Sequence, residues 1–334
     1  MIDVLVVGAG WAGLSVANPL NQSGHRVVVI EKARGPGGRS ATRRQDGWAF
    51  DHGAQYMTGD SAAFQSQLTH WSDLGLVEPW HPQISVIGPR PQSMPEKAQP
   101  AGRCRWVGVP GNNAILKHLA QSQEVLYQHR VNQIAHVEDG WEINVCSGDE
   151  SMHWRARHLL LTPPPQQIAQ LLGSRHPLHS TLDDHPMMPC WTMMLGFNTT
   201  LPIEFDAAFV NNGPLSWICR QRSKPQRSGE SWVLHASPEW SREHLEQPQT
   251  VVSQALLAAW QDALGGDLPT PDACYMHRWR YAQSAAPLEV GFLADPSTHL
   301  WIAGDWCHGN RVEGAWLSGL EAAQALLELD ASER

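Results

Sequence analysis

Apolar residues follow their most regular pattern near the amino terminus of the chain. Residues Val4 to Val7 form an uninterrupted aliphatic run, typical of a strand buried on both faces of a parallel sheet. A helix is predicted over residues 12–23 with Gly24 at its end, and His25 to Ile30 predicts a second strand. A strand, a helix and a strand in this order indicate an α/β fold.

The rest of the pattern predicts a second domain inserted into the first. The other predicted helices lie at about 61–75, 112–121, 249–263 and 313–329, and the other strands at about 48–56, 125–137, 141–145, 158–162, 191–198, 232–236 and 300–305. Residues 79–100 contain six prolines and predict an irregular excursion or a short hairpin, with a domain crossing near Pro79. The predicted domains are 1–78, 101–165 and 281–334 for the first, and 79–100 and 166–280 for an α+β domain on a mixed sheet.

Composition excludes several classes of protein. The 334 residues suffice for two domains, and the formal net charge of −9 argues against nucleic acid as a partner. No apolar run reaches about 18 residues, so we expect no membrane span. The six cysteines contain no CxxC pair, which argues against a redox dithiol or a zinc site. We expect a cytoplasmic protein without a metal ion, and the immediate first strand leaves no room for a signal peptide.

The glycine-rich turn after the first strand carries the clearest chemistry. Gly8 permits a sharp turn, Gly10 lets a pyrophosphate approach the backbone, and Gly13 lets the helix pack close to the strand. The pyrophosphate would bind N–H groups at the helix amino terminus, and Glu31 would accept hydrogen bonds from a ribose diol. The nucleotide contacts predicted from this unit are Gly8, Gly10, Trp11, Ala12, Gly13 and Glu31.

The residues after Glu31 favour FAD over NAD. Gly37 and Gly38 can bring backbone close to phosphate, and Arg39 can offer it a forked guanidinium. This extension resembles that of FAD-binding oxidoreductases of the amine-oxidase and renalase type. The resemblance implies a Rossmann-type, GR2-like domain that binds FAD, usually non-covalently, although Cys307 leaves a covalent link open. It adds Lys32, Gly38 and Arg39 to the expected cofactor contacts.

The same resemblance extends to other parts of the chain. The strand that ends at Gly304 and Asp305 resembles the family segment that meets the ribityl chain or the pyrophosphate edge, followed by a helix from Val312. The segment from Asp51 to Tyr56 resembles one that passes beside the isoalloxazine. The cofactor contacts that this implies are His52, Gln55, Tyr56, Val131, Gly304, Asp305 and Val312.

Segments of the second domain resemble the renalase-like branch in particular. These segments are 216–220, 223–225, 232–240 and 277–282. Better-defined members of that branch oxidise misreduced dihydropyridine isomers of NAD(P), passing a hydride to flavin N5 and two electrons to O2, which gives H2O2. The resemblance implies that His235 and Trp279 position the substrate, and that it contacts Trp217, Arg220, Lys224 and Tyr281.

A cluster of four cations lies in the same region of an otherwise acidic chain. Arg220, Arg222, Lys224 and Arg227 fall within eight residues, which suits a phosphate-bearing substrate such as a pyridine dinucleotide. A solvated basic loop is the alternative, because runs of charge are often that. Trp217, Trp279 and Tyr281 similarly form either an aromatic wall or part of the core.

Two other functions stay open at this stage. A flavin amine oxidase commonly keeps a lysine near flavin N5, and this chain offers only Lys32, Lys97, Lys117 and Lys224. A non-catalytic binding protein on the same fold would have lost the flavin, although Glu31, Arg39 and Asp305 argue against that. A carotenoid-type desaturase would need a long apolar tunnel or a membrane-binding surface, for which the sequence gives no sign.

Overall fold

The chain was analysed as a computed structural model, which describes residues 2–89, 104–266 and 268–333. The helices are α1 Trp11–Gln22, α2 Ala62–Asp73, α3 Ala114–Ala120, α4 Pro165–Leu172, α5 His179–Asp183, α6 Pro238–Glu243, α7 Gln249–Leu264 and α8 Val312–Ser332. The strands are β1 Ile2–Val7, β2 Val27–Glu31, β3 Thr42–Gln45, β4 Trp48–Asp51, β5 Val77–Trp80, β6 Ile84–Ile87, β7 Arg105–Gly108, β8 Glu124–Tyr127, β9 Arg130–Val137, β10 Gly140–Ser147, β11 Glu150–Leu161, β12 Met187–Phe197, β13 Ala207–Val210, β14 Leu215–Arg220, β15 Glu230–Ala236, β16 Ala273–Ser284, β17 Phe292–Asp295 and β18 Leu300–Ala303.

The chain divides into two compact units. Unit 1 consists of Met1–Arg39, Ile115–Met187 and Gln283–Arg334, and unit 2 of Ser40–Ala114 and Met188–Ala282. No helix in the described ranges is long and apolar enough to cross a membrane.

Unit 1 is built on a sheet with the order β17-β18-β11-β1-β2-β8. The strands from β18 to β8 run parallel, β17 is antiparallel at one edge, and β10 and β9 extend β11 as an antiparallel ladder. The central strand β1 is buried except at Asp3, as its aliphatic pattern predicts. The predicted Rossmann-type α/β fold is therefore confirmed.

Helices α1 and α8 pack closely in this unit. A Cβ on Gly319 of α8 would lie 2.4 Å from the carbonyl oxygen of Ala12 in α1. Because no side chain can occupy that gap, the two backbones touch at this point. The contact places the first half of α8 against the first turn of α1.

Unit 2 contains a second, mixed sheet with the order β16-β12-β15-β14-β13-β6. Three neighbouring pairs are antiparallel, namely β12 with β15, β15 with β14, and β14 with β13. Strands β13 and β6 are parallel. Helix α7 contributes Val252, Leu256 and Trp260 to the core, which also holds Trp232 of β15. The mixed sheet predicted for the second domain is thus present.

Several element boundaries differ from those predicted. The predicted domain limits at 78/79 and 165/166 fall inside the compact units, because β5 pairs with β7 in unit 2 and residues 166–187 pack with unit 1. Residues 79–89 contain the second half of β5 and all of β6, while residues 90–100 lie outside the described part. The predicted strand at 125–137 is two strands: β8 joins β2 in parallel, and β9 belongs to the antiparallel ladder.

Candidate functional site

The glycine turn in unit 1 has the geometry that its sequence predicts. Gly8 has a φ of +108°, and its N–H donates to the carbonyl of Ile30 at 2.8 Å. A Cβ on Gly13 would lie 1.9 Å from the oxygen of Gly8, whereas a Cβ on Gly10 would meet nothing within 4 Å. Gly8 and Gly13 are therefore required by the turn itself, and the space beside Gly10 is open to a ligand.

The amino terminus of α1 adjoins this open space. Gly10 is its N-cap residue, no side chain caps the helix, and its first turn, which includes Trp11, Ala12 and Gly13, has no acidic residue. The first N–H groups of a helix have no intrahelical acceptor and attract anions. Gly37 donates to Ala9 at 3.1 Å, and a Cβ on Gly38 would lie 3.6 Å from the Cα of Gly10. The glycine pair thus lies directly on the turn.

Glu31 at the end of β2 is buried beside the same turn. Its Oε2 accepts from the N–H of Ala9 at 2.8 Å, and its Oε1 accepts from the N–H of Ala33 at 2.7 Å. The backbone of His129 donates to the Glu31 carbonyl at 3.0 Å, so the start of β9, which carries buried Val131, lies beside β2. The start of β9 therefore lies beside the end of β2, and the cofactor contacts expected of Glu31 and Val131 stay predictions. Each carboxylate oxygen keeps a further acceptor position for a ligand hydroxyl.

Lys32 follows Glu31 but contacts a neighbouring side chain. Its Nζ donates to Oε1 of Gln167 at 3.5 Å, a long hydrogen bond at an exposed position. Nothing in this geometry assigns Lys32 to the cofactor, and its predicted contact stays a prediction.

Arg39 and Asp305 pair directly with each other. Nη1 and Nη2 of Arg39 lie 2.7 and 2.6 Å from the two oxygens of Asp305, a bidentate ion pair. The sequence predicted that Arg39 would offer its fork to phosphate and that Asp305 would meet the cofactor separately. In the structure the fork binds the carboxylate instead, and the cofactor contacts expected of Arg39 and Asp305 stay predictions.

The residues after Asp305 complete this end of unit 1. The N–H of Gly304 donates to Oγ of Ser318 at 2.9 Å, which ties the end of β18 to α8, and α8 begins at Val312. Cys307 is fully buried, and burial, reinforced by Asp305, raises the pKa of its thiol far above the ordinary value. A buried, protonated thiol is a poor nucleophile, so it does not suit a covalent link.

Unit 1 therefore fits the nucleotide part of a dinucleotide cofactor. One continuous set of contacts surrounds the open space at Gly10. It includes the amino terminus of α1, which no side chain caps, and the buried carboxylate of Glu31. The contacts run from Glu31 through Ala9 and the glycine pair to Arg39 and Asp305. Phosphate oxygens and a ribose diol are the groups that such an arrangement recognises.

In unit 2, three predicted residues meet at one backbone carbonyl. The oxygen of His52 accepts from Nε2 of His235 at 3.2 Å and from Nε1 of Trp279 at 3.0 Å. Since a carbonyl only accepts, Nε2 of His235 must carry the proton. The ring of His52 stacks on Trp279 with centroids 5.0 Å apart, and His277 packs against both rings. We call His52, His277 and Trp279 the aromatic face.

The imidazoles around this carbonyl are neutral. Burial, together with His277 and Arg43, lowers the pKa of His52 to about 3. Burial and Arg43 lower the pKa of His277 to about 4. Burial, reinforced by the charge of Lys224, lowers the pKa of His235 to about 4. The group is thus uncharged at neutral pH, and Arg43 is a cation beside it.

The buried position of Lys224 overturns its predicted role in substrate binding. The side chain is only 2% exposed, and Nζ lies 3.3 Å from Oδ2 of Asp51 and 3.2 Å from Oε1 of both Gln55 and Gln221. An ammonium has three N–H bonds, so these acceptors use them all. Gln55 is a second correction: its amide donates to the carbonyls of Asp51 and Gly53, so its side chain cannot also serve a flavin.

The other cations of the basic cluster also pair with carboxylates. Arg220 is buried and donates from Nη2 to the carbonyls of Leu201 and Ile203. Its Nε lies 3.2 Å from Oε1 of Glu230, so few of its N–H groups remain for a substrate. Arg222 pairs with the same Glu230 at 2.9 Å.

Arg227 pairs with Asp51 at 2.8 Å. The basic run is therefore divided between two ion-pair clusters whose carboxylates, Glu230 and Asp51, are buried, while Arg222 keeps an exposed side chain.

The predicted aromatic wall is divided. Trp217 is buried against Phe209 and Tyr56, with centroids 4.8 and 6.0 Å away, so it belongs to the core of unit 2. Tyr281 lies on β16, half-buried, two residues beyond Trp279. No group of three or more metal-ligating side chains occurs among residues that the structure describes.

Several residues around the His52 carbonyl are not predicted from the sequence. The sequence indicates no role for Asp51, Gln221, Arg43 or His277. The only signal was proximity in sequence, because Asp51 precedes His52 and His277 begins the segment that contains Trp279. Their partners are far apart along the chain and could not be paired from sequence alone.

Comparison with known proteins identifies related families. The model of a NAD(P)-binding Rossmann-like domain matches residues 6–70, and that of a flavin containing amine oxidoreductase matches residues 92–327. An L-amino-acid oxidase of Siganus canaliculatus is 42% identical over 64 residues, which cover 19% of this chain and 12% of that oxidase. The chain thus aligns with well under two thirds of the length of this curated relative.

Solved structures resemble the chain over its whole length. Cyclohexylamine oxidase from Brevibacterium oxydans IH-35A has a TM-score of 0.75 at 16% identity, with 100% of both chains covered. Putrescine oxidase bound to putrescine has a TM-score of 0.71 at 15% identity, covering 98% of this chain and 99% of that one. At these identities the likeness establishes the fold.

Proposed function

Because the chain belongs to the flavin-containing amine oxidoreductase family, we propose that it is a renalase-like, FAD-dependent oxidoreductase that oxidises a flat, reduced substrate. Dihydropyridine isomers of NAD(P) are the proposed substrate class. The observation that carries this proposal is the uncharged aromatic face of His52, His277 and Trp279. A cytoplasmic location stays a prediction.

Unit 1 supplies the residues that would hold FAD. The backbone around Gly10 and the start of α1 would bind the pyrophosphate, Glu31 the adenosine ribose, and Val131 the adenine. The Arg39–Asp305 pair would fix the far end of this site without adding net charge. FAD supplies two-electron chemistry by accepting a hydride at N5 and passing electrons to an acceptor, here proposed to be O2 with H2O2 as product. The buried thiol of Cys307 supports non-covalent binding.

The aromatic face suits hydride donation by a neutral ring. A flat dihydropyridine would pack against the half-buried His277 and Trp279 of this face, beside the cation of Arg43. An ammonium would be disfavoured, because Arg43 repels cations. A hydride donor of this kind needs no base, and imidazoles with pKa values of about 3 and 4 would be poor bases at neutral pH. His235 and Trp279 would then act by holding the His52 segment in place.

Anaerobic titration tests this proposal. The purified protein would be mixed without oxygen with 2-dihydro-NAD, with 6-dihydro-NAD and with ordinary 4-dihydro-NAD, and the flavin absorbance followed. We expect the 2- or 6-isomer to bleach the flavin and the 4-isomer to act far more slowly. A flavin that stays oxidised with both unusual isomers would contradict the substrate proposal.

Amine oxidation is the second candidate, and the family match favours it. The expected lysine near flavin N5 has few candidates: Lys224 is buried with its donors used, Lys32 contacts Gln167, and Lys97 lies outside the described residues. Lys117 is exposed on α3. H2O2 release from simple primary amines, with no bleaching by dihydropyridines, would establish this alternative.

A further inference from the structure

We infer that Lys224 is a positioning residue: its buried ammonium fixes the segment 51–55 so that the His52 carbonyl meets both His235 and Trp279. The inference rests on the proposed function only for the importance of those two donors. The placement of the carbonyl itself can be tested without any substrate.

The carboxylate of Asp51 anchors the front of this segment. Oδ1 accepts from Oγ1 of Thr42 at 2.6 Å and from the N–H of Asn112 at 3.1 Å. Oδ2 faces Nζ of Lys224 at 3.3 Å and Nη2 of Arg227 at 2.8 Å. Burial opposes ionisation of Asp51, but Lys224 and Arg227 outweigh it and lower the carboxyl pKa to about 2. The carboxylate is therefore charged and held from four directions.

Lys224 connects this anchor to the rest of the segment. Its other two donors bind Oε1 of Gln55 and Oε1 of Gln221. The amide of Gln55 returns to the carbonyls of Asp51 and Gly53, and Oε1 of Gln221 also accepts from the N–H of Asp51 at 3.1 Å. One ammonium thus joins the carboxylate, a residue at the far end of the segment and a residue of unit 2 outside it. His52 lies inside the loop that these contacts close.

Charge balance alone does not explain why Lys224 is buried beside Asp51. Within the described part of the chain, Asp51 is the only carboxylate that pairs with either Lys224 or Arg227. Without Lys224, Asp51 and Arg227 would still form a neutral pair, so the second buried cation is not needed to compensate the first charge. Burying an ammonium is costly. Lys224 adds simultaneous hydrogen bonds to three acceptors, the side-chain oxygens of Asp51, Gln55 and Gln221.

Lys224 also acts on His235 through space. Its charge is among the causes that lower the pKa of His235, after burial. A neutral His235 with its proton on Nε2 is the form that donates to the His52 carbonyl. The lysine therefore favours this hydrogen bond from both sides, by fixing the acceptor and by disfavouring protonation of the donor ring.

Nitrogen-15 NMR of the labelled holoprotein tests the inference directly. The ring nitrogens of His235 and the indole N–H of Trp279 would be assigned through His235→Gln and Trp279→Phe. In the native protein we expect a single His235 tautomer with the proton on Nε2. In Lys224→Met we expect mixed tautomers and indole exchange with solvent about tenfold faster or more, because the acceptor is no longer fixed. Lys224→Gln, which keeps an amide donor, should fall between the two.

Arg222→Met is the matched control. Arg222 lies in the same basic run but pairs with Glu230, away from the segment 51–55, and its side chain is 37% exposed. This variant should leave the His235 tautomer and the Trp279 exchange rate unchanged. Folded Lys224→Met protein with both signals unchanged would overturn the inference. Loss of the fold in both Lys224→Met and Lys224→Gln would also overturn it, since the lysine would then serve the fold as a whole.

A kinetic measurement separates this inference from the proposed function. With 6-dihydro-NAD as the reductant, the maximal rate of flavin reduction should fall about tenfold or more in Lys224→Met, with a smaller change in the half-saturating concentration. If 6-dihydro-NAD fails to reduce the native flavin, the proposed function fails while the NMR result still decides the role of Lys224. An unchanged maximal rate in Lys224→Met would contradict the inference.

Discussion

Single residues in the glycine turn serve two different purposes. Gly13 is required by the protein, because a Cβ there would overlap the oxygen of Gly8. Gly10 is not, since its φ of −90° and ψ of −168° suit any residue and a Cβ would meet no neighbour within 4 Å. A glycine that the fold does not need points to a ligand, and here to the cofactor pyrophosphate.

Substitutions at these two positions should therefore have opposite effects. Gly10→Val should leave the unfolding temperature of the flavin-free protein nearly unchanged but weaken FAD binding about tenfold or more, equivalent to about 1.4 kcal/mol. Gly13→Ala should lower the unfolding temperature. Fluorescence quenching of added FAD and thermal unfolding would measure the two effects. Unaltered FAD affinity in Gly10→Val would count against a pyrophosphate beside Gly10.

Buried histidines make stability depend on pH. Burial lowers the pKa of His158 to about 4 against the favourable effect of Asp330, to which its Nε2 donates at 3.0 Å. The three histidines at the His52 carbonyl are lowered in the same direction. These rings stay neutral in the folded protein, whereas the unfolded chain binds protons near the ordinary pKa of about 6.5.

The sign of the pH effect follows from this difference. The stabilisation is complete above about pH 6.5 and is lost as the pH falls towards about 4, by up to about 1.4 kcal/mol per pH unit for each proton. Urea unfolding at several pH values should show this loss. His158→Gln should flatten the dependence, whereas His153→Gln, at an exposed position, should not. A free energy of unfolding that is constant between pH 7 and 5 would contradict the prediction.

At the scale of elements, strong periodic patterns were enough to predict β1, β2 and α7. Weaker patterns gave shifted ends. Strand β11 begins at Glu150 and not at His158, because its first six residues are mostly exposed and show no apolar run, although they pair with β10. Sequence patterns also cannot show which elements touch. The close contact of α1 and α8 depends on Gly319, which looks like any helical glycine in the sequence.

A larger side chain at this contact should separate the two helices. In Gly319→Val, the new Cβ would meet the Ala12 oxygen at 2.4 Å and the Ser15 Cβ at 3.0 Å. We expect the free energy of unfolding to fall by about 1–3 kcal/mol, as is usual for overpacking. Urea unfolding would measure it, with Gln324→Val on the exposed face of α8 as the control. Equal effects of the two substitutions would show that α8 does not depend on this contact.

At the scale of the whole molecule, the cofactor site was more predictable than the substrate residues. The glycine turn and Glu31 depend on local spacing, so the sequence was sufficient to place them together, whereas Val131 was named only from the family resemblance. The partners of the basic run between Arg220 and Arg227 were not predicted, because a run of cationic residues does not show which side chains point into the protein. Lys224 reaches Asp51 across 173 positions of sequence, and no local pattern reports a partner so distant.

Release of the bound flavin tests the central claim most directly. We expect the purified protein to be yellow and acid denaturation to free about one FAD per chain, because unit 1 would hold both the adenosine and the pyrophosphate and the Cys307 thiol is buried and protonated. Glu31→Ala should retain much less FAD. A colourless protein, a yellow colour that stays with the precipitated chain, or release of FMN without adenosine would contradict the account.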